Sequence, residues 1–329
     1  MRALAARPHA IVKCIAPRRG TSESVAAMTC VHANIMLLAI AAIWGLAFVY
    51  QKTAMDHIGP FLFLAARAMI AAVTLLPLAL RESFALPTKP TSGFWAISLC
   101  GGLSFFIDRI LQQIGLVTAT VTNTGFLTGL YVVITPLMMW LILRRQPRFY
   151  VWPAVALAFV GTWFLGGGTL SGFSTGDWLV AISAIFWSAH MLIIEHSARH
   201  ARPIGFTTVQ FAIVAVLSTI GAFAFETVLL AALTDAAFEI AYVGILSSAL
   251  TFTLLAVAMK YTPAVEATIL ISTETVFAAL CAVILLGEWL PAIGWAGAGL
   301  MFAASLIVQI APVVIDRHRK TDTNTNNQQ

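Results

Sequence analysis

The chain has 329 residues, of which 60% are hydrophobic and only 10% charged, and its mean hydropathy is +0.89. An ordinary soluble domain carries about 25% charged residues, and disorder needs low hydrophobicity with high charge, so both classes are excluded. Residues 24–51, 149–176, 203–225, 240–259 and 289–315 contain no Lys, Arg, Asp or Glu. About 20 mostly apolar residues cross a hydrocarbon core of ~30 Å, so the chain reads as an all-α, polytopic membrane protein.

Residues 1–32 form a basic N-terminal arm, expected to be disordered and cytoplasmic, with Met28 as an alternative start. No apolar core of signal-peptide length precedes the first span, although an Arg-rich, acid-poor segment also fits a transit peptide. Apolar runs punctuated by Pro, Gly and charge then predict ten transmembrane helices. They cover 33–52, 58–80, 93–116, 121–143, 150–167, 177–196, 204–230, 237–259, 264–286 and 292–314. The boundary between the third and fourth rests on Thr118-Ala119-Thr120, because residues 110–143 are uncharged. Residues 315–329 are a polar tail, expected to be disordered.

The chain matches itself at an offset of 143, which takes Trp44 to Trp187, Pro60 to Pro203, Gly101 to Gly244, Leu127 to Leu270 and Trp152 to Trp295. The same step takes Arg67 to Gln210 and Tyr131 to Glu274. Five helices per copy reverse the direction of entry, so 33–167 and 177–314 are expected to be two inverted five-helix repeats. Charge agrees with this. With the N-terminus inside, the inner segments hold Arg2, Arg7, Lys13, Arg18, Arg19, Arg81, Lys89, Arg144, Arg145 and Arg148. Arg199, Arg202, Lys260, Arg317, Arg319 and Lys320 also fall inside, against Lys52 alone outside. That asymmetry predicts cytoplasmic N- and C-termini. Leu143-Arg144-Arg145 after the fourth helix and Gly287-Glu288 after the ninth are basic and acidic at one structural position, as opposite orientations require.

The first copy carries Ala42-Ile43-Trp44-Gly45-Leu46-Ala47-Phe48, Arg67, Gly125-Phe126-Leu127-Thr128-Gly129-Leu130-Tyr131 and Thr135-Pro136-Leu137. The second carries Ser272-Thr273-Glu274-Thr275-Val276-Phe277-Ala278-Ala279 and Leu285-Leu286-Gly287-Glu288. In order, spacing and duplication the pattern over residues 33–314 resembles the EamA-type branch of the drug/metabolite transporter (DMT) superfamily. The resemblance implies a multi-pass protein of a bacterial inner membrane with ten helices in two repeats. It also implies transport of small metabolites, frequently export. Leu143-Arg144-Arg145-Gln146 departs from the Leu-Gly-Glu that the family often shows.

Ionisable groups inside spans are costly and usually face the bundle interior. Arg67, Asp108, Arg109 and Glu274 are such groups, and their charges sum to zero. Glu274, ten or eleven residues into its helix, reads either as a substrate or proton site, hence the coupling candidate, or as a structural partner of an Arg. Arg67 reads as a helix tie or as a binder of substrate carboxylate. Asp108 and Arg109, being adjacent, are expected to point about 100° apart, with Gln112 and Gln113 one turn on. Thr120, Thr124, Thr128, Tyr131 and Thr135 fall on one helix face, flanked by Asn123. Thr268, Ser272 and Thr275 form a shorter copy. These stripes line a cavity or hydrogen-bond between helices. Trp44 and Trp187 are expected to face each other and either pack or stack an organic substrate, with His190 one turn beyond Trp187.

Cys14, Cys30, Cys100 and Cys281 lack metal-ligand spacing, and His196 and His200 beside Glu195 read as a solvated interfacial cluster; no metal and no cofactor is expected. Gly166–Gly168 are followed by no Gly-Lys-Thr/Ser, so nothing points to ATP drive. No hydrolase motif occurs, and the chain is not expected to be an enzyme; an intramembrane enzyme acting on lipid-linked substrates is the alternative. The favoured reading is a secondary transporter working by alternating access, with protons as a candidate coupling ion. Its substrates would be small metabolites such as amino acids, with drug efflux the alternative at substrate level. The bilayer is its solvent, nucleic acid is no partner, and a homodimer stays open.

Overall fold

A computed structural model describes residues 30–165, 174–287, 289 and 292–326. The basic arm up to residue 29, Gly166–Gly168 and Glu288 lie outside the described residues. Among the described residues, eight helices are long and apolar enough to cross a membrane. They are α1 (Cys30–Ala54), α2 (Pro60–Ala85), α3 (Ser92–Thr118), α4 (Val121–Leu141), α6 (Thr175–Ser197), α7 (Pro203–Phe225), α8 (Ala237–Ala258) and α9 (Ala264–Leu286). Two further helices, α5 (Val151–Leu165) and α10 (Ala292–Asn326), have shorter apolar stretches, Val151–Phe164 and Ala292–Val308.

Helix starts follow local chemistry. Ser174 and Asp177 close a capping box on α6, and Thr91 and Thr120 accept from Phe94 N and Asn123 N at α3 and α4. The antiparallel pair α2 and α7 cap one another. The Glu226 carboxylate, just past α7, accepts from Phe61 N and Leu62 N at 2.8 and 2.9 Å. Glu82, near the end of α2, accepts from Ile204 N and Gly205 N at 3.3 and 2.8 Å. Each carboxylate thus meets the positive end of a helix dipole and two of its orphan donors.

The principal packings are α2 on α7, α5 on α10, α3 on α6 with α1 on α8, and α1 on α9 with α4 on α6. α1 packs against α9 at Gly45, where a Cβ would lie 2.8 Å from Ala278 N and 2.9 Å from Glu274 O. That contact admits glycine alone without a shift of backbone.

Five expectations are corrected. α4 is interrupted after Thr128 and α9 after Ile271, so Tyr131 and Glu274 each open a second half-helix rather than sitting mid-helix. Gly129, and hydroxyls at Ser272 and Thr273 that fold back on Ile269 O and Leu270 O, loosen the ladder at these points. α8 contains a π-helical stretch, Tyr242–Leu250. α7 stops at Phe225, where Glu226 turns extended to reach α2. The residues read as a tail continue α10 as far as Asn326. Finally, Asp108 and Arg109 do not diverge, because the Arg109 side chain curls back to place Nε and Nη2 each 2.5 Å from Asp108 Oδ2.

Candidate functional site

A small cavity lies where α1, α2, α3, α4, α6, α8 and α9 converge. It is lined by Trp44, Phe48, Gln51, Arg67, Arg109, Thr128, Trp187, Ser247, Phe252 and Glu274. Its volume of about 20 Å³ suffices for roughly one water, which needs about 10–15 Å³. The conformation is therefore closed around its centre.

Two pairs of repeat-related residues meet there. Tyr131 OH donates to Glu274 Oε1 at 2.9 Å across a sequence separation of 143. The rings of Trp44 and Trp187 stand edge to face with centroids 5.5 Å apart. Phe252 completes the wall, 5.0 Å from Trp44 and 6.0 Å from Trp187. The two indoles differ in their bonding. Trp44 Nε1 donates to Ser247 O and Thr251 Oγ1 at 2.9 and 2.7 Å, and Ser247 lies within the π-helical stretch. Trp187 Nε1 is buried without a partner.

The charges are arranged without direct contact between Glu274 and a cation. Arg67, buried, donates from Nη1 to Gln51 Oε1 at 2.6 Å, while its Nε has no partner. Arg109 is paired with Asp108 and lies over Trp187, Cζ to ring centroid 4.9 Å. Glu274 is bound by Tyr131 and belongs to neither of the two ion pairs among the described residues. A carboxylate, two guanidinium groups and four aromatic side chains thus border one void in a low-dielectric interior, where the charged groups seek opposite charge.

Of the residues singled out from the sequence, Trp44, Arg67, Arg109, Thr128, Trp187 and Glu274 border the cavity. Tyr131 and Asp108 stand behind Glu274 and Arg109, and Gln112 donates from Nε2 to Thr128 Oγ1 at 3.0 Å. His190 is set back, stacked on Phe105 and bonded to Gln210 Nε2 at 3.0 Å. Asn123 and Thr124 stay at the start of α4, where Thr124 Oγ1 donates to Thr120 O. Thr268 and Ser272 bond to carbonyls of their own turn, Val265 O and Ile269 O. Phe48, Gln51, Ser247 and Phe252 were not singled out. Adding 143 to Arg109 reaches Phe252, so the repeat register pointed to one of them.

The sequence profile of the EamA-like transporter family matches residues 32–167 and again 174–310. This chain belongs to the EamA-like transporter family. It is accordingly a multi-pass membrane protein of the drug/metabolite transporter superfamily. A relative from Archaeoglobus fulgidus, named only as an uncharacterized transporter, is 32% identical over 300 residues, covering 89% of this chain and 90% of its own. The Bacillus subtilis uncharacterized transporter YwfM is 25% identical over 286 residues, 85% of this chain and 94% of its own. A Chlamydia muridarum protein named as an S-adenosylmethionine/S-adenosylhomocysteine transporter is 32% identical over 91 residues, 27% of this chain and 28% of its own. A solved crystal structure superposes on this EamA-like fold with a TM-score of 0.69 at 17% identity, covering 85% of this chain and 96% of its own. At that identity the likeness speaks for the fold alone.

Proposed function

We propose that this protein is a secondary transporter, an exporter of zwitterionic metabolites of the amino-acid class, working by alternating access around the central cavity. The observation that carries this is the cavity wall itself: Glu274, Arg67 and Arg109 facing one void beside Trp44, Trp187 and Phe252. With Asp108 the four charges balance. A substrate that is neutral overall but carries both signs can pair with them and leave no buried net charge. Its carboxylate would meet Arg67, whose Nε lacks a partner, and its ammonium group Glu274. Aromatic faces would hold the side chain. The partial relative is named as an S-adenosylmethionine/S-adenosylhomocysteine transporter, and both compounds carry the carboxylate and ammonium group of an amino acid.

Alternating access rests on ten spans in two inverted repeats, 33–167 and 177–314, with α5 and α10 as the fifth and tenth. Supporting this are the symmetric pattern of helix packing and the two half-helix breaks at one register. The contacts Tyr131–Glu274 and Trp44–Trp187 each join residues 143 apart, which a two-fold axis between the repeats would bring about. Both termini are cytoplasmic by the charge asymmetry, and the membrane is a bacterial inner membrane. Because Glu274 has no cation beside it, proton and substrate ammonium can compete for the same carboxylate, which couples outward substrate movement to inward protons. Counterflow in proteoliposomes tests the reading. Loaded zwitterionic amino acids should drive uptake of labelled ones, and Arg67→Gln should abolish it. Counterflow of organic cations but not of amino acids would refute the substrate class.

A further inference from the structure

A second cavity, much larger than the central one, opens between α3, the end of α4 and α6. Its total open volume is about 1110 Å³, of which about 490 Å³ lies within reach of solvent-sized groups. Ile97 and Cys100 of α3, Leu143 just beyond α4 and Leu192 of α6 make its walls apolar. On either side the walls run into exposed hydrophobic surface, Leu99 and Leu103 on α3 and Trp140 and Leu141 on α4. In a membrane-spanning bundle such surface faces acyl chains. One end is different: Arg145, His196 and Arg199 stand on its rim.

The two rim arginines, Arg145 and Arg199, are not taken up by carboxylates among the described residues. The one rim acid, Glu195, is engaged elsewhere, its Oε2 accepting from Ala264 N at 2.9 Å. Arg144 adopts φ 53°, the left-handed region that favours glycine, and Arg145 N then closes on Met139 O at 3.1 Å. At the same register the second repeat has Gly287, φ 68°. A non-glycine residue held there is strained, and its effect is to seat two consecutive arginines at the membrane interface.

We propose that this groove is a binding site for an anionic phospholipid, its phosphate headgroup held by Arg145, Arg199 and His196 and an acyl chain laid along the walls. Three features support this occupant. A volume in the range of small-molecule sites suits one chain. The walls are continuous with the lipid-facing surface. Arginine is suited to phosphate because its planar donors match it in pairs, and basic pockets at the membrane interface bind acidic headgroups. A polar metabolite would find almost nothing to bond along these walls. The site is separate from the central cavity and does not depend on what that cavity carries.

Cys100 offers a readout, since it lines the groove and is exposed. The full-length protein in detergent would be alkylated with N-ethylmaleimide, and modification of Cys100 followed by peptide mass spectrometry. Short-chain phosphatidylglycerol should slow Cys100 alkylation several-fold, and phosphatidylcholine should not. Arg145→Gln with Arg199→Gln should abolish the difference, while the paired Lys variants should keep part of it. Equal slowing by both lipids, no slowing by either, or slowing only by a transported amino acid would overturn the proposal. So would full protection in the Gln variant. If that variant does not fold, the comparison of the two lipids on the wild-type protein still decides.

Discussion

Glu274→Gln removes one charge from the centre of the molecule while keeping shape and hydrogen-bonding capacity. Tyr131 OH donates to Oε1 over 2.9 Å, and an amide oxygen in the same place accepts the same bond. A bond to a charged acceptor, worth about 1.5–3 kcal/mol, becomes a neutral one of about 0.5–1.5 kcal/mol, so the fold loses roughly 1 kcal/mol. At about 2.1 cal/mol/K per residue over the whole chain, that is a fall in Tm of about 1.5 °C. Arg109 stays paired with Asp108 and Arg67 stays hydrogen-bonded to Gln51, so neither cation loses a direct partner. Substrate fares differently. Deleting one partner of a desolvated charge pair costs about 2–5 kcal/mol, and at 1.4 kcal/mol per tenfold this weakens binding by about 30-fold or more. Thermal unfolding in detergent and counterflow in proteoliposomes, with and without a pH gradient, separate the two effects. The expected result is a nearly unchanged melting temperature with substrate affinity and the response to the gradient both lost. Intact affinity and an intact gradient response would refute the role given to Glu274. A collapse of stability would instead make the residue a structural tie.

Glu226→Ala should cost about 2–3 kcal/mol, since it strips two backbone N–H groups of a charged acceptor at a helix start; Glu82→Ala should cost a comparable amount at the opposite cap, and unfolding in detergent measures both. Gly45→Ala places a Cβ within 3 Å of Glu274 O and Ala278 N, so it should force α1 from α9 at a cost of about 1–3 kcal/mol and reduce counterflow while leaving membrane insertion intact. Arg144→Gly relieves a left-handed residue, worth about 1–2 kcal/mol, against about 0.5–1 kcal/mol for glycine's added chain entropy; a small rise in Tm is expected. Cysteines introduced at Lys52 and Lys260 should react with impermeant maleimide from opposite sides of the membrane.

Composition and charge spacing alone made the helical, membrane-spanning character legible, because a hydrocarbon core admits only long apolar runs with internally satisfied backbones. Most helix starts were legible too, since Pro60, Thr91, Thr120, Ser174 and Pro203 act within a turn of themselves. The register of 143 linked Trp44 with Trp187 and Tyr131 with Glu274 before any contact was known. What could not be read were departures from regular helix: the breaks after Thr128 and Ile271, the π-helical turn in α8 and the end of α7 at Phe225. The last two are settled by a partner far along the chain. Glu226 leaves its helix to reach Phe61 N and Leu62 N, and Ser247 O is taken by Trp44.

The sequence by itself determined which residues could not tolerate lipid and in what register they recur. Only tertiary structure decided their pairings. It gave Asp108 to Arg109, Gln51 to Arg67 and Tyr131 to Glu274, leaving Glu274 without a cation. The physical reason is that burial acts on each residue through local polarity, which a linear pattern records. The choice among several polar partners in a bundle depends on distances of a few ångströms between helices, and only the packed chain sets those.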